Sequence, residues 1–131
     1  MFTIVADARL KLLRVRLAGF FSLEEVGSFA EAAQNAVADM GCSSGDWLHS
    51  CDISQMPLQA QSVTDAFDLF INHPNRRSQR LAIITGSSPV RMQIRRLLGR
   101  SDAALFKTIG EADEWLLSQV DQRAVFSQTF D

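Results

Sequence analysis

Three kinds of hydrophobic pattern alternate along this chain. From Leu12 to Leu17 the pattern is strictly alternating: Leu13, Val15 and Leu17 fall on one side, Leu12, Arg14 and Arg16 on the other. That predicts a strand with one apolar and one mostly basic face. Leu81-Ala82-Ile83-Ile84-Thr85 is instead a continuous run rich in β-branched residues. It is too short for a helix and typical of a strand covered on both faces. Elsewhere apolar residues recur every three or four positions, the period of a half-buried helix.

Taken in order, Phe2 to Ala6 and Leu12 to Leu17 flank Asp7-Ala8-Arg9, which predicts a hairpin. A first helix starts at Ser22, which forms a capping box with Glu25 while Phe21 and Val26 are spaced as a hydrophobic staple. Leu23, Val26, Ala30, Ala33, Val37 and Met40 give its expected core face, and Gly41 stands at the C′ position. Trp47 to Ile53 predicts a third strand with Trp47, His49, Cys51 and Ile53 on one face. A second helix is expected from Ser62 as N-cap, with Val63, Ala66, Phe67, Phe70 and Ile71 inward and His73-Pro74 as its stop. Leu81 to Thr85 is the fourth strand, broken by Gly86-Ser87-Ser88-Pro89. There Ser88 is the expected N-cap and Pro89 the first position of a third helix with a Val90, Ile94, Leu97, Leu98 stripe. Ala104 to Lys107 predicts a short fifth strand. Thr108 and Glu111 form a capping box for a last helix with Ala112, Trp115, Leu116 and Val120 inward. The pattern predicts one α/β domain over 1–120: a mixed five-stranded sheet with an N-terminal hairpin and four helices. A polar tail over 121–131, carrying Val125, Phe126 and Phe130, follows it.

Composition narrows the functional classes. No apolar run approaches the length of a membrane span, and the N-terminus has neither a basic n-region nor a long h-region, so neither a span nor a signal peptide is expected. Cys42 and Cys51 lack metal-ligand spacing and are expected to be reduced thiols in a cytoplasmic protein. Charge is uneven: four basic against eight acidic residues over 1–65, eight against two over 66–108, and one against five over 109–131. A solvated surface with interleaved signs accounts for this more simply than a dedicated anionic partner. Arg91, Arg95, Arg96 and Arg100 are expected opposite the apolar stripe of the third helix, with Met92 among them. That face suits an acidic protein, a phosphate-rich ligand or a membrane surface, or is simply solvated. Nucleic acid is disfavoured by the net charge of −2 and by the absence of aromatic residues between the arginines.

No Walker motif, dinucleotide fingerprint or nucleophile elbow is present, and neither His49 nor His73 has a partner at ligand or triad spacing. No catalytic residue, metal or cofactor is therefore expected. Ligands of open α/β folds bind at the carboxyl ends of the strands. Asp52-Ile53-Ser54 and Gly86-Ser87-Ser88 both follow predicted parallel strands, so Asp52, Ser54, Ser87, Ser88 and Arg91 are the candidate ligand-binding residues. Their expected ligand is small, with an anionic or polar head and an apolar part lying against Phe67 or Phe70.

The order of elements, Asp52-Ile53-Ser54 after the third strand, Arg91 early in the third helix, and Phe106-Lys107-Thr108 leading into Glu111-Ala112-Asp113-Glu114-Trp115-Leu116 resemble the STAS-like fold, and within it the stand-alone SpoIIAA-like bacterial proteins. The resemblance covers about residues 2 to 118. It implies a non-enzymatic regulatory or protein-interaction domain, with a protein partner or self-association as a homodimer. In anti-sigma antagonists of this fold, Asp-x-Ser is followed by Asp-Ser-Ser-Gly at the second helix, whose first serine is phosphorylated. Here the second motif reads Ala60-Gln61-Ser62-Val63, so Gln61 stands at the phosphorylated position and Ser62 alone is left as a candidate regulatory residue. Among the stand-alone relatives, likeness to lipid-carrier domains implies an alternative: a carrier or sensor of a small apolar or amphipathic ligand.

Overall fold

The computed structural model describes residues 1–95 and 100–118; the expectations for Arg96, Leu97, Leu98, Val120 and the 121–131 tail fall outside them. Strands β1 (Phe2–Asp7) and β2 (Leu12–Ala18) form the N-terminal hairpin, with Ile4 opposite Val15 and Asp7 opposite Leu12. Asp7 Oδ1 accepts from Leu10 N at 3.2 Å and Lys11 takes a positive φ of 53°, which closes the turn. Helix α1 (Leu23–Asp39), β3 (Leu48–Gln55), α2 (Gln61–Ile71), β4 (Arg80–Ile84), α3 (Ser88–Arg95) and β5 (Ala103–Phe106) follow, and a fourth helix, α4, covers 109–118. The sheet order is β1-β2-β3-β4-β5, antiparallel between β1 and β2 and parallel from β2 onward. The mixed five-stranded sheet with four helices is thus the architecture that the hydrophobic pattern predicts.

Each crossover steps the same way along the sheet, and α1, α2 and α3 all pack on one face, as a single handedness of connection requires. That face holds the main core. Val26, Phe29 and Ala33 of α1 and Phe67 and Phe70 of α2 meet Leu13, Val15 and Leu17 of β2, Cys51 and Ile53 of β3, and Leu81 and Ile83 of β4. Phe29 is its centre: its ring meets Phe2 at 5.6 Å, Phe67 at 6.0 Å and Phe70 at 5.3 Å. The expected core face of α1 omitted Phe29 and included Leu23, which is 57% exposed in the first turn. Helix α4 covers the opposite face, where Ala112 and Leu116 pack on Leu12, Leu48, Ala82 and Ile84.

Helix starts follow the capping chemistry with two corrections. Ser22 Oγ accepts from Glu25 N at 3.1 Å, and Gly41 has the expected positive φ of 77° after α1. Thr108 Oγ1 accepts from Glu111 N at 3.2 Å at the start of α4. Ser62, however, is not the N-cap of α2. That position is Ala60, with no side-chain cap bond, and Ser62 lies exposed inside the first turn. The preceding residue, Gln59, is pinned by its neighbours, and the chain turns helical after the extended Ala60. In α3 the cap is Ser87 rather than Ser88. Ser87 O accepts from Arg91 N at 2.9 Å, and buried Thr85 closes the turn early by accepting from Ser87 N at 3.2 Å.

The expected basic face over 91–100 is also corrected. Arg91 is half-buried, Arg95 and Met92 are exposed, but Arg100 lies beyond α3 with its side chain only 2% exposed. It donates to Asp102 Oδ1 at 2.7 Å, Ser78 O at 2.6 Å and Ile71 O at 3.3 Å, tying the end of α2 to the strands beside it. Arg77 joins Asp102 at 3.2 Å, Arg14 pairs with Asp113 at 2.8 Å, and Arg80 lies over the Trp115 ring at 4.9 Å. Three residues of the basic centre, Arg77, Arg80 and Arg100, are therefore matched to an acid or an aromatic ring.

Candidate functional site

The carboxyl end of the parallel sheet carries the five candidate residues, but as two groups on opposite faces. Asp52 stands between Arg16 and Ile84 in the register, and Ile84 belongs to the α4 face. Its Oδ1 accepts from Ser54 N at 2.9 Å and from Ser54 Oγ at 2.6 Å, so the pair closes a local turn. Ser87, Ser88 and Arg91 belong to α3 and its approach, on the other face. Arg91 Nη1 folds back onto Thr85 O at 3.4 Å, Ser87 Oγ faces Val90 N at 3.5 Å, and Ser88 is exposed. Among the described residues no hydrogen bond or ion pair joins the two groups. The reading of adjacent strands had the right sheet edge but not the side-chain parity that separates Asp52 from α3.

A residue that the sequence did not single out organises this edge. Gln59, in the loop before α2, accepts through Oε1 from Phe21 N at 2.9 Å and donates through Nε2 to Gly19 O at 3.1 Å and Pro57 O at 2.8 Å. Its own backbone is bridged by one amide side chain on α3: Gln93 Oε1 accepts from Gln59 N at 3.2 Å and Gln93 Nε2 donates to Gln59 O at 3.0 Å. Three segments are joined this way, and three large apolar side chains stand out from them. Phe20, between the two backbone groups that Gln59 holds, is 75% exposed, and Leu58, the chain neighbour of Gln59, is 48% exposed. Met92, beside Gln93, is 66% exposed.

Beneath the same bridge, between α2, α3 and the sheet, lies a cavity of about 40 Å³. Phe67, Phe70, Ile83, Val90 and Ile94 supply apolar wall, and Gln59 and Gln93 reach its edge. His49 of β3 also lines it, 3% exposed, with Nε2 lacking any hydrogen-bond partner. The ring packs on Trp47, centroids 5.2 Å apart. Burial, and secondarily the charge of Arg100, lowers the imidazole pKa to about 3, so His49 is neutral at physiological pH. Burial, with a smaller push from Asp52, raises the neighbouring Cys51 thiol to about 12, which leaves it a protonated apolar group. Among the described residues no group of three His, Cys, Asp or Glu side chains is placed to hold a metal, and no helix is long and apolar enough to cross a membrane.

The fold is shared with solved structures. An uncharacterised protein of the DUF3478 family with a SpoIIAA-like fold, from Shewanella loihica PV-4, superposes with a TM-score of 0.65 at 16% identity, over 88% of this chain and 93% of that one. An anti-sigma factor antagonist from Mycobacterium paratuberculosis gives a TM-score of 0.61 at 12% identity, over 88% and 94%. No family model and no curated protein matches the sequence. The chain has the STAS-like, SpoIIAA-like α/β fold.

Proposed function

We propose that this is a non-enzymatic regulatory domain of the cytoplasm that binds an acidic protein partner through the apolar patch at the carboxyl end of its sheet. The observation that carries this reading is Phe20 held 75% exposed on a loop fixed at both flanks by Gln59. A mobile loop would fold such a ring inward; a fixed one keeps it available, and Leu58 is exposed next to Gln59 in the chain. Arg91 and Arg95 of α3 flank Met92 and favour a partner with carboxylates around its apolar contact. The likeness to an anti-sigma factor antagonist supports a protein as the partner. Both thiols are free, in keeping with a reducing compartment. Ser62, exposed in the first turn of α2, is kept only as a candidate regulatory residue.

The test is affinity capture followed by native mass spectrometry, with the Phe20→Ser/Leu58→Ser double variant as control. The reading expects one protein retained by the wild type and lost by a folded double variant. A homodimer lost in the same way assigns the patch to self-association. Retention of the same partner by the double variant removes the patch as the site.

A second reading, carrier or sensor of a small apolar or amphipathic ligand, is favoured by the cavity roofed by α2 and α3. The apolar part of such a ligand would meet Phe67 and Phe70, as the residue pattern suggested. Asp52, Ser54, Ser87, Ser88 and Arg91 stay candidates only for its polar end at the rim.

A further inference from the structure

A larger cavity, of about 260 Å³, opens at the amino ends of the parallel strands, at the opposite end of the sheet from the apolar patch. It lies between the end of α1, the loop leading into β3 and the turn after α2. Ala33, Trp47 and Phe70, each 7% exposed or less, supply apolar wall. Among the described residues Arg76 is the single charged one lining it, and no acid does. We propose that this cavity binds a small monocarboxylate with a flat apolar body, its carboxylate on Arg76 and its body against Trp47 and Phe70. The site stands apart from the docking patch and from the smaller cavity beneath α3, with which it shares only Phe70.

The frame of the site is fixed by bonds between its own segments. Ser44 Oγ donates to Pro74 O at 2.8 Å and Gly45 N to Arg77 O at 2.8 Å, which ties the two loops together. With its amide oxygen toward the guanidinium, Gln34 of α1 accepts from Arg76 Nε at 3.1 Å and from Nη1 at 2.7 Å. That neutral partner orients Arg76 without cancelling its charge, and among the described residues Arg76 forms no ion pair. The Ser43 hydroxyl and the Asn75 amide belong to the same lining and have no hydrogen bond among the described residues, so further donors are available. Cys42 adds no negative charge: burial, then Asp46, raises its thiol pKa against a smaller pull from Lys11. Carbonyls in the last turn of α1 accept from Met40 N, Gly41 N and Cys42 N, which covers the negative end of that helix. A cavity of about 150 Å³ encloses benzene, so this one has room for a ring and a carboxylate. A phosphate dianion is less suited, since it would find one cation and no helix amino end here.

The test titrates the full chain, labelled with ¹⁵N, with benzoate, benzamide and benzylamine, which carry one ring on a negative, a neutral and a positive head. The indole N–H groups of Trp47 and Trp115, the two tryptophans of the chain, report where each binds. Benzoate is expected to shift Trp47 and to leave Trp115, which packs on the α4 side of the sheet, unmoved. It should bind about threefold to tenfold more tightly than benzamide, with benzylamine weakest. Arg76→Gln, at an exposed site, should bring benzoate down to benzamide while benzamide stays within about twofold of its wild-type affinity. The wild-type series decides the charge of the head even if the variant does not fold. A Trp47 resonance that none of the three moves overturns the cavity as a ligand site. Benzamide equal to benzoate in the wild type, or a preference for benzoate that survives in Arg76→Gln, overturns the carboxylate contact with Arg76. Tightest binding of benzylamine means that the helix carboxyl ends outweigh Arg76, and it overturns the anionic class.

Discussion

His49 makes the stability of the domain depend on pH in a window where few other groups titrate. In the folded protein the imidazole stays neutral down to about pH 3, held so by burial and then by the charge of Arg100. In the unfolded chain it takes up a proton near its ordinary value of 6.5. Below that value the unfolded state binds a proton that the native state refuses, so stability falls as pH falls. The contribution is fully present above about pH 7 and is lost progressively toward pH 3. The slope approaches about 1.4 kcal/mol per pH unit, and integration from pH 7 to pH 5 gives a loss of about 2 kcal/mol. For a domain with about 5–15 kcal/mol in total, that is a measurable share.

Urea unfolding at constant ionic strength, at pH 7, 6 and 5, reads this directly as a drop in midpoint at constant m-value. His49→Phe serves as the control, because a phenyl ring cannot titrate and should flatten the profile. Asp102 does not confuse the result. Burial works to raise its carboxyl, but the hydrogen bond and charge of Arg100, with the charge of Arg77, outweigh burial and hold it below 3.8. Its contribution is therefore present above about that pH and lost only in stronger acid. Wild-type stability at pH 5 within about 0.5 kcal/mol of its value at pH 7, or an identical slope in His49→Phe, refutes the argument.

Ile83→Asp should destabilise the domain by several kcal/mol, since Ile83 is 3% exposed in the main core and the new carboxylate has no partner there; an unchanged melting temperature would contradict its place in β4. Arg100→Ala should cost about 1–3 kcal/mol in urea unfolding by leaving Ser78 O and Ile71 O without its donors and Asp102 with Arg77 alone, whereas Arg95→Ala, at an exposed site, should stay within about 0.5 kcal/mol. Incubation with a serine kinase of the partner-switching type should leave Ser62 essentially unlabelled, because Gln61 occupies the modified position of the motif; stoichiometric phosphate on Ser62, read by intact mass, would restore the switch.

The fold was legible because its signals are local and mutually consistent. Strict alternation in β2, the continuous run of β4 and the caps at Ser22 and Thr108 each specify one element, and the element order then leaves few topologies. Where the reading slipped, tertiary contacts outweighed local preference. Ser62 and Ser88 are good capping residues. Each nevertheless lies inside its helix rather than at the cap, since Ala60 and Ser87 take the cap positions after the turns that Gln59 and Thr85 bond. Arg100 looked like one of four surface arginines. Its burial depends on Asp102 and Ser78, a pairing set by the return of the chain into β5 and invisible to helical periodicity.

The candidate sites were legible to a lesser degree, for reasons of parity and satisfaction rather than composition. Adjacent strands bring Asp52 and Ser87 to the same sheet edge, but the two-residue period of β3 turns Asp52 toward α4 while α3 packs on the other face. His49 shows the same parity with the opposite result. Its alternation with Cys51 and Ile53 placed it correctly on the core face, where a histidine is ordinarily a satisfied structural residue. What distinguishes it is the absence of a partner, and no sequence pattern records which hydrogen bonds fail to form. Gln59 is the converse case. One uncharged residue in a loop satisfies three segments at once, and its importance lies wholly in bonds to positions 19, 21, 57 and 93. The apolar patch outside and the cavity inside therefore share one support, since the same residue that holds the flanks of Phe20 is the one to which Gln93 fastens α3.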